Sequence, residues 1–504
     1  MILLEFSGIA SLSRYDKYRV NPTSESRLTT SALVVITTCA AALRLHALGS
    51  KTLWFDEGVS VAIARLNAYN FLRILWRREA NMSLYYALLH IWLWMGTSEA
   101  FVRSLSVIFG VATIPAIYYL GRRLFDSPTA LIAATFLSVN AFHVCYSQEA
   151  RSYSLMVLLC VLSTLYFLKT FENSRNSRIY VVLSTLAVYA HFYSLLLIAA
   201  QYLTLRYLLP KSVSSEAVWT RAWKAIAILV SPILIFVATT GAGPLKWIPR
   251  PGLKDIWNFV VLMTGHGGAV LAIAIGLLAI RGAYDAVPNY STADDWRVRF
   301  LLIWLLFPIL FVLLLSIFRP LFLPRYFLFC LPALLLLVAS GLCRLRAGWR
   351  IPLLLLCLAL SLRGTAGYYT QDFDNERDDW RSASNYILQH AQPGDALLFH
   401  VPMGRMPYEY YVSLDEKSFS PSVPMVLYPY HGPRVTFLDF VEKPDYARLS
   451  DALPHHPRIW VVLSHAKTPS GLDRVGTSLT SLAGAAHANV QQNAFNGIDV
   501  LLYQ

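Results

Sequence analysis

Residues 53–64 read LWFDEGVSVAIA. Two adjacent carboxylates, Asp56 and Glu57, stand there among aromatic and aliphatic residues, just after a mostly apolar run of the ~20-residue length that crosses a membrane. Carboxylates beside a bilayer are costly unless they have partners or a task. Two compatible readings are open. Asp56 is the N-cap of a helix beginning at GVSVAIA, with Glu57 favoured by the helix dipole. Or Asp56, held partly dry at the membrane surface, is a general base that accepts a proton from a hydroxyl or amine.

The surroundings decide the class. The chain has 504 residues, 56% hydrophobic and 14% charged, with mean hydropathy +0.47; soluble domains carry about 25% charged residues. This composition implies a multi-pass helical membrane protein with a smaller soluble part. The formal net charge of +13 is uneven. From Tyr368 onward there are 15 Asp+Glu and 10 Lys+Arg, hence −5; the first 367 residues hold 33 Lys+Arg against 15 Asp+Glu, hence +18. Basic excess around spans marks cytoplasmic loops and lipid phosphates, and no nucleic-acid motif accompanies it. The six cysteines lie in or beside apolar runs without CxxC spacing, so neither a disulfide framework nor a zinc ribbon is implied. The first twenty residues lack the h-region and small-residue cleavage site of a signal peptide.

About eleven spans are expected, near 28–48, 102–120, 127–143, 153–170, 179–191, 193–209, 224–240, 268–281, 300–317, 326–343 and 351–366. Every second loop is basic, for example Arg122/Arg123, Lys169/Arg175/Arg178 and Arg344/Arg346/Arg350. That pattern puts the N-terminus in the cytoplasm and the C-terminal domain outside, periplasmic or extracellular, on an inner (cytoplasmic) membrane. Asp56 and Glu57 then fall in a first outer loop at 49–101. Its segments GVSVAIARLNAYNFLRILWRR and SLYYALLHIWLWMG read as juxtamembrane helices. Counting the second as a span would invert every later loop. Two domains are expected: 1–367 in the membrane and 368–504 outside it. The latter reads as a small α/β domain, with a helix through SASNYILQH and strands at 396–400, Val435–Phe437, Ile459–Leu463 and Val500–Tyr503.

Other polar groups fall on the same outer side. Glu149 and Arg151 in YSQEARSY are either a local pair or a carboxylate and a guanidinium facing a sugar and an anionic headgroup. Arg319, Arg325 and Tyr326 in RPLFLPRY are placed to meet a lipid phosphate, although Arg also snorkels at interfaces without any ligand. His191 and His266 lack HxxH or HExxH spacing; structural roles, a phosphate contact and a metal contact stay open. No Walker, GxSxG or Rossmann motif occurs, so a soluble nucleotide-sugar donor has no visible binding domain.

Five stretches, in order, resemble the GT-C superfamily of integral-membrane glycosyltransferases: LWFDEGVS, EANMSLYYALLHIWL, EAFVRSLSVIFGVATIPAIYYLGRRLF, YSQEARSYSL and RPLFLPRYFLFCLPALLLL. The likeness covers most of 28–345. It is greatest to the bacterial branch related to protein O-mannosyltransferases and the aminoarabinose transferase that acts on lipid A (glycosyltransferase families 39 and 83). The resemblance implies a sugar donor on a polyprenyl phosphate, used on the outer face with inversion. It implies that Asp56 is the catalytic base and Glu57 the second acid. Arg151 and Arg325 fall in motifs that line the donor cavity. Glu79 and Asn81 occupy a corner where relatives have an acid or a His before a Pro-Pro-Leu-Tyr-Tyr run. Here Met82-Ser83 replaces Pro-Pro. Some relatives hold a divalent ion at that corner; no cofactor is otherwise implied. Expected partners are a lipid-linked sugar, the bilayer, and a lipid, polysaccharide or protein acceptor, with no nucleic acid. Two other classes stay open. A transporter or flippase of polyprenyl-linked sugars shares the spans and predicts midplane charges in repeated halves, and no internal repeat is evident. A non-catalytic scaffold predicts that Asp56 is dispensable.

Overall fold

Apolar backbone in a bilayer must satisfy its hydrogen bonds within one segment, which leaves helices as the solution for such a chain. The computed structural model describes residues 26–209, 216–240, 248–284, 295–371, 377–414, 423–429, 443–468 and 471–504. Within it all eleven expected regions are helical. Among the described residues, seven helices are long and apolar enough to cross a membrane, or eight if the bent pair Ser127–Val139 and Ala141–Ser147 is one span. The other three regions fall short of the expectation: Ser177–Ala190 and Ser194–Tyr207 have 14 residues each, and Ala269–Tyr284 has 16. The first two are separated by a turn at His191, where Ser194 N donates to His191 O at 3.0 Å.

Two compact units emerge. The first comprises Met1–His46, Ala80–Tyr85 and Ser104–Gln371; the second comprises Ala47–Glu79, Tyr86–Arg103 and Asp372–Gln504. Much of the 49–101 segment therefore groups with the C-terminal residues.

In the first unit, small residues let helices cross closely, as is usual where lipid supplies no hydrophobic drive. A Cβ on Gly282 would lie 2.1 Å from Leu337 O, and one on Gly341 would lie 1.9 Å from Leu278 O. Gly341→Val should therefore force apart the helices Ala269–Tyr284 and Leu331–Cys343. An overpacking cost of about 1–3 kcal/mol is expected, visible as a lower melting temperature of the detergent-purified protein.

The bent span turns by 61° at Asn140. A break this sharp strands carbonyls at the end of its first half. The fully buried Arg44 answers two of them, donating from Nη2 to Leu137 O (3.2 Å) and from Nη1 to Ser138 O (3.0 Å). Thr365 Oγ1 donates to Val139 O at 2.7 Å. The second half is capped by Asn140, whose Oδ1 accepts from His143 N at 3.1 Å.

The second unit contains helices Phe55–Arg65, Ala68–Arg77 and Ser83–Trp92, the last two of ten residues each; Ser83–Trp92 is too short to cross a membrane and also contributes residues to the first unit. Among the described residues its larger sheet has five strands: β1 (Ala396–Phe399), β2 (Met425–Tyr428), β3 (Ile459–Ser464), β4 (Val490–Phe495) and β5 (Ile498–Tyr503). The order is β2-β1-β3-β5-β4, with β1 parallel to β2 and β3, and with β5 antiparallel to β3 and β4. β3 is buried throughout and Leu398, Val461, Leu479 and Leu501 meet in the core below it. The expected strands near 396–400, at Ile459–Leu463 and at Val500–Tyr503 are present; the one at Val435–Phe437 lies outside the described residues. β2 and β4 were not expected. β4 reads VQQNAF and is largely exposed, so it has little of the apolar alternation that marks a strand.

Candidate functional site

The acidic pair sits in the first turn of helix Phe55–Arg65, whose N-cap is Trp54. Asp56 is therefore not the cap, contrary to that reading of the sequence. The capping contact belongs to Glu57, at the third helical position, whose Oε2 accepts from Trp54 N at 3.4 Å. Glu57 is 0% exposed and meets Arg103 in a two-pronged pair: Nε to Oε1 at 2.8 Å and Nη2 to Oε2 at 2.6 Å. A planar guanidinium matches a carboxylate in this way. The two acids thus do not face outward together. Glu57 turns inward onto Arg103, while Asp56 is partly buried.

Arg103 was not singled out from sequence. It also donates to Leu48 O, Lys51 O and Thr52 O at 3.1, 2.7 and 2.8 Å. Arg381 reaches the same stretch, donating to Gly49 O, Ser50 O and Lys51 O at 3.0, 3.1 and 3.0 Å and pairing with Glu99. The Tyr411 hydroxyl accepts from Leu53 N at 2.7 Å and contacts Glu99. Burial, then the Glu99 carboxylate, push that phenol well above its usual range, so it stays a neutral hydrogen-bonding group. Two arginines and a tyrosine therefore lash residues 48–53, and the first turn after them is held in place. The available signal was an Arg near the start of a long apolar helix, where a charged side chain is disfavoured unless it has a partner.

The first unit gathers a second set. Glu149 (1% exposed) and Arg151 are buried in the turn after the bent span, where Arg151 N donates to Glu149 O at 2.7 Å. Ser106 Oγ donates to Arg151 O at 3.2 Å. Arg151 and Arg325 both lie within electrostatic reach of His191, and Arg325 also reaches Tyr146 beside Glu149. The His191 ring is 4.9 Å from Tyr326, 5.4 Å from Tyr193 and 5.8 Å from Tyr153. His191 is 1% exposed and its Nδ1 accepts from Tyr193 N at 3.2 Å. That bond places the imidazole proton on Nε2, which is buried with no hydrogen-bond partner among the described residues.

Not every expected residue joins these sets. Arg319 is exposed beyond the helix ending at Ser316, which fits snorkelling and sets it apart from Arg151 and Arg325. His266 is exposed in the turn after Met263, in a left-handed conformation (φ 58°). Asn81 Oδ1 accepts from Phe192 N at 3.1 Å, beside His191, whereas Glu79 belongs to the second unit. The residues of the expected metal corner do not fit a divalent ion. His191 has one nitrogen occupied and two cationic guanidinium groups nearby, and Asn81 already serves a backbone N–H. Among the described residues no group of three His, Cys, Asp or Glu side chains could hold a metal.

Comparison with known proteins now bears on this geometry. In the crystal structure of ArnT from Cupriavidus metallidurans in the apo state, 98% of the chain aligns with 94% of this one, at a TM-score of 0.61 and 13% identity. The same enzyme bound to undecaprenyl phosphate gives 0.60 and 14% over the same shares. The chain shares the fold of ArnT. Apo oligosaccharyltransferase from Archaeoglobus fulgidus aligns over 92% of this chain and 72% of its own at a TM-score of 0.50 and 12% identity. The family model described as dolichyl-phosphate-mannose-protein mannosyltransferase matches residues 82–236. No curated protein matches this chain in sequence.

Proposed function

We propose that this protein is an inverting glycosyltransferase that moves a sugar from a polyprenyl phosphate to an acceptor on the outer face of the membrane. The observation that carries the reading is the buried His191 Nε2–H, without an acceptor among the described residues, in electrostatic reach of Arg151 and Arg325. Buried donors normally have partners. A donor and two guanidinium groups together suit a phosphate, and ArnT, which shares the fold, has been crystallised with undecaprenyl phosphate.

The acceptor's hydroxyl or amine gives its proton to a carboxylate, the role that the sequence resemblance implies for Asp56, while its heteroatom attacks the anomeric carbon from the face opposite the phosphate. The bond between that carbon and the phosphate oxygen breaks, and its electron pair leaves with the oxygen. The departing lipid phosphate gains a negative charge, and the preorganised cations Arg151 and Arg325 stabilise that charge most as it develops. The tyrosines around His191 limit water, which strengthens these interactions. Glu57 is committed to Arg103, so its part is to hold the helix that carries Asp56.

A transporter of such lipids would use a broken span to bind ions through freed carbonyls. Here the carbonyls of Leu137, Ser138 and Val139 already accept from Arg44 and Thr365, which favours the enzyme. The test incubates membranes containing the protein with radiolabelled polyprenyl-phosphate sugars and follows sugar leaving the lipid. Wild type should consume at least one donor, and Arg151→Gln or Arg325→Gln should bind that donor at least tenfold more weakly. Lipid-linked sugar that binds yet never reacts, with cell extract supplied as acceptor source, would refute the enzyme and support transport.

A further inference from the structure

In the second unit the parallel strands β2 and β3 flank β1 on opposite sides. The chain leaves β1 for one neighbour and later reaches the other, so its connections diverge. In open α/β sheets such a switch point leaves a crevice beyond the carboxyl ends of the strands, and ligands bind there. In this protein His400 follows β1, and Ser464 and His465 lie at the end of β3.

The two histidines differ. His400 is locked, with Nδ1 2.8 Å from Ser464 O and Nε2 2.8 Å from Asp473 Oδ1. The His465 side chain is 51% exposed, and its Nδ1 is 3.7 Å from Oδ1 of the buried Asp378. It holds a left-handed backbone (φ 56°), a conformation a non-glycine residue adopts at a cost of ~1–3 kcal/mol. Asp378 can stand there because Gly497 (φ 71°) has no side chain; a Cβ would lie 2.2 Å from Asp378 Oδ1. The neighbouring backbone is fixed by Asn496, which donates to Arg377 O at 2.7 Å and accepts from Asp379 N at 2.9 Å.

The same end of the sheet meets the helix that carries the acids. The His465 ring is 5.8 Å from that of Phe55, and the Arg377 guanidinium is 5.6 Å from the Trp54 ring. Gly58 allows the approach from the other side: a Cβ there would lie 2.6 Å from Pro407 Cβ. Asp56 follows Phe55 directly, so an imidazole and a guanidinium stand against the two residues that precede the proposed base.

We propose that the crevice at the carboxyl ends of β1 and β3 is the acceptor subsite, where His465 and Arg377 hold an oxyanion of the acceptor beside Asp56. This rests on the transferase reading above. The acceptor is a molecule with a phosphate or carboxylate close to its reacting hydroxyl or amine. Asp378 orients His465, and the cationic Arg377 gives the subsite its preference for anions.

The experiment uses the full-length protein in membranes with a radiolabelled lipid-linked sugar that wild type consumes. Soluble probe acceptors are methyl glucoside, glucuronic acid and glucose 6-phosphate; transfer to each is measured beside release of sugar to water. Wild type should prefer the anionic probes about tenfold. His465→Asn tolerates the left-handed backbone and so keeps the fold; it and Arg377→Gln should each lower the ratio of transfer to hydrolysis about tenfold and erase the preference. A preference for glucose 6-phosphate alone would assign a phosphate, and for both anions an oxyanion of either kind. Equal use of all three probes by wild type, or equal loss of transfer and hydrolysis in both variants, would overturn the proposal while leaving the transferase reading intact. Consumption of no donor by wild type would instead overturn that reading, and the subsite with it.

Discussion

Asp56→Asn should lower sugar transfer about 10²- to 10⁴-fold, the usual worth of a positioned general base, while the protein still binds the lipid donor. The amide has the same shape and cannot take the acceptor's proton. The bonds by which Arg103, Arg381 and Tyr411 hold residues 48–53 end on backbone atoms, so they persist in this variant. Glu57→Gln is the informative partner. It leaves Arg103 buried against a neutral group, and breaking one side of a buried pair costs about 3–5 kcal/mol. Its loss should appear in melting temperature as well as in activity, and should lower the melting temperature more than Asp56→Asn does. The measurement is donor turnover, donor binding and thermal unfolding on both variants. Wild-type turnover by Asp56→Asn would remove Asp56 from the mechanism.

The contrast between the adjacent acids shows what the sequence disclosed and what it withheld. LWFDEGVS marked the position, because two carboxylates beside a bilayer demand an explanation. It could not divide the roles, which depend on a partner 46 residues from Glu57. The spans were legible because apolar runs are long and continuous, and the brief polar break YAHFYS was enough to part 179–191 from 193–209; that these two helices have only 14 residues each was not legible. The β4 strand was missed for the opposite reason, being a polar strand secured by pairing with β5. Arg325 and His191 lie 134 residues apart and share a neighbourhood only once the helices pack; the separate status of Arg319, six residues from Arg325, was equally beyond reach.

Arg44→Leu should be among the most damaging single changes in the first unit. Besides its bonds to Leu137 O and Ser138 O, the side chain donates to Ala40 O at 3.0 Å and Ser147 Oγ at 3.3 Å, and its Nη2 is 2.8 Å from His143 Nδ1. Leucine fills part of the volume and satisfies none of these acceptors, each costing about 1–3 kcal/mol when left buried and unpaired. Lysine should not rescue it, since one ammonium cannot bridge both halves of a 61° break as a planar fork does. The damage should reach the donor residues through the chain. Gln148 Nε2 donates to Arg44 O at 2.9 Å and His46 O at 2.8 Å, and Glu149 and Arg151 follow directly. Thermal unfolding of Arg44→Leu and Arg44→Lys, each alone and with Arg151→Gln, separates the two effects. Both Arg44 variants should melt lower than wild type. If the break positions Arg151, their loss of donor binding should shrink once Arg151 is already gone. Full additivity in binding would confine Arg44 to stability and leave the turn after Ser147 positioned by other contacts.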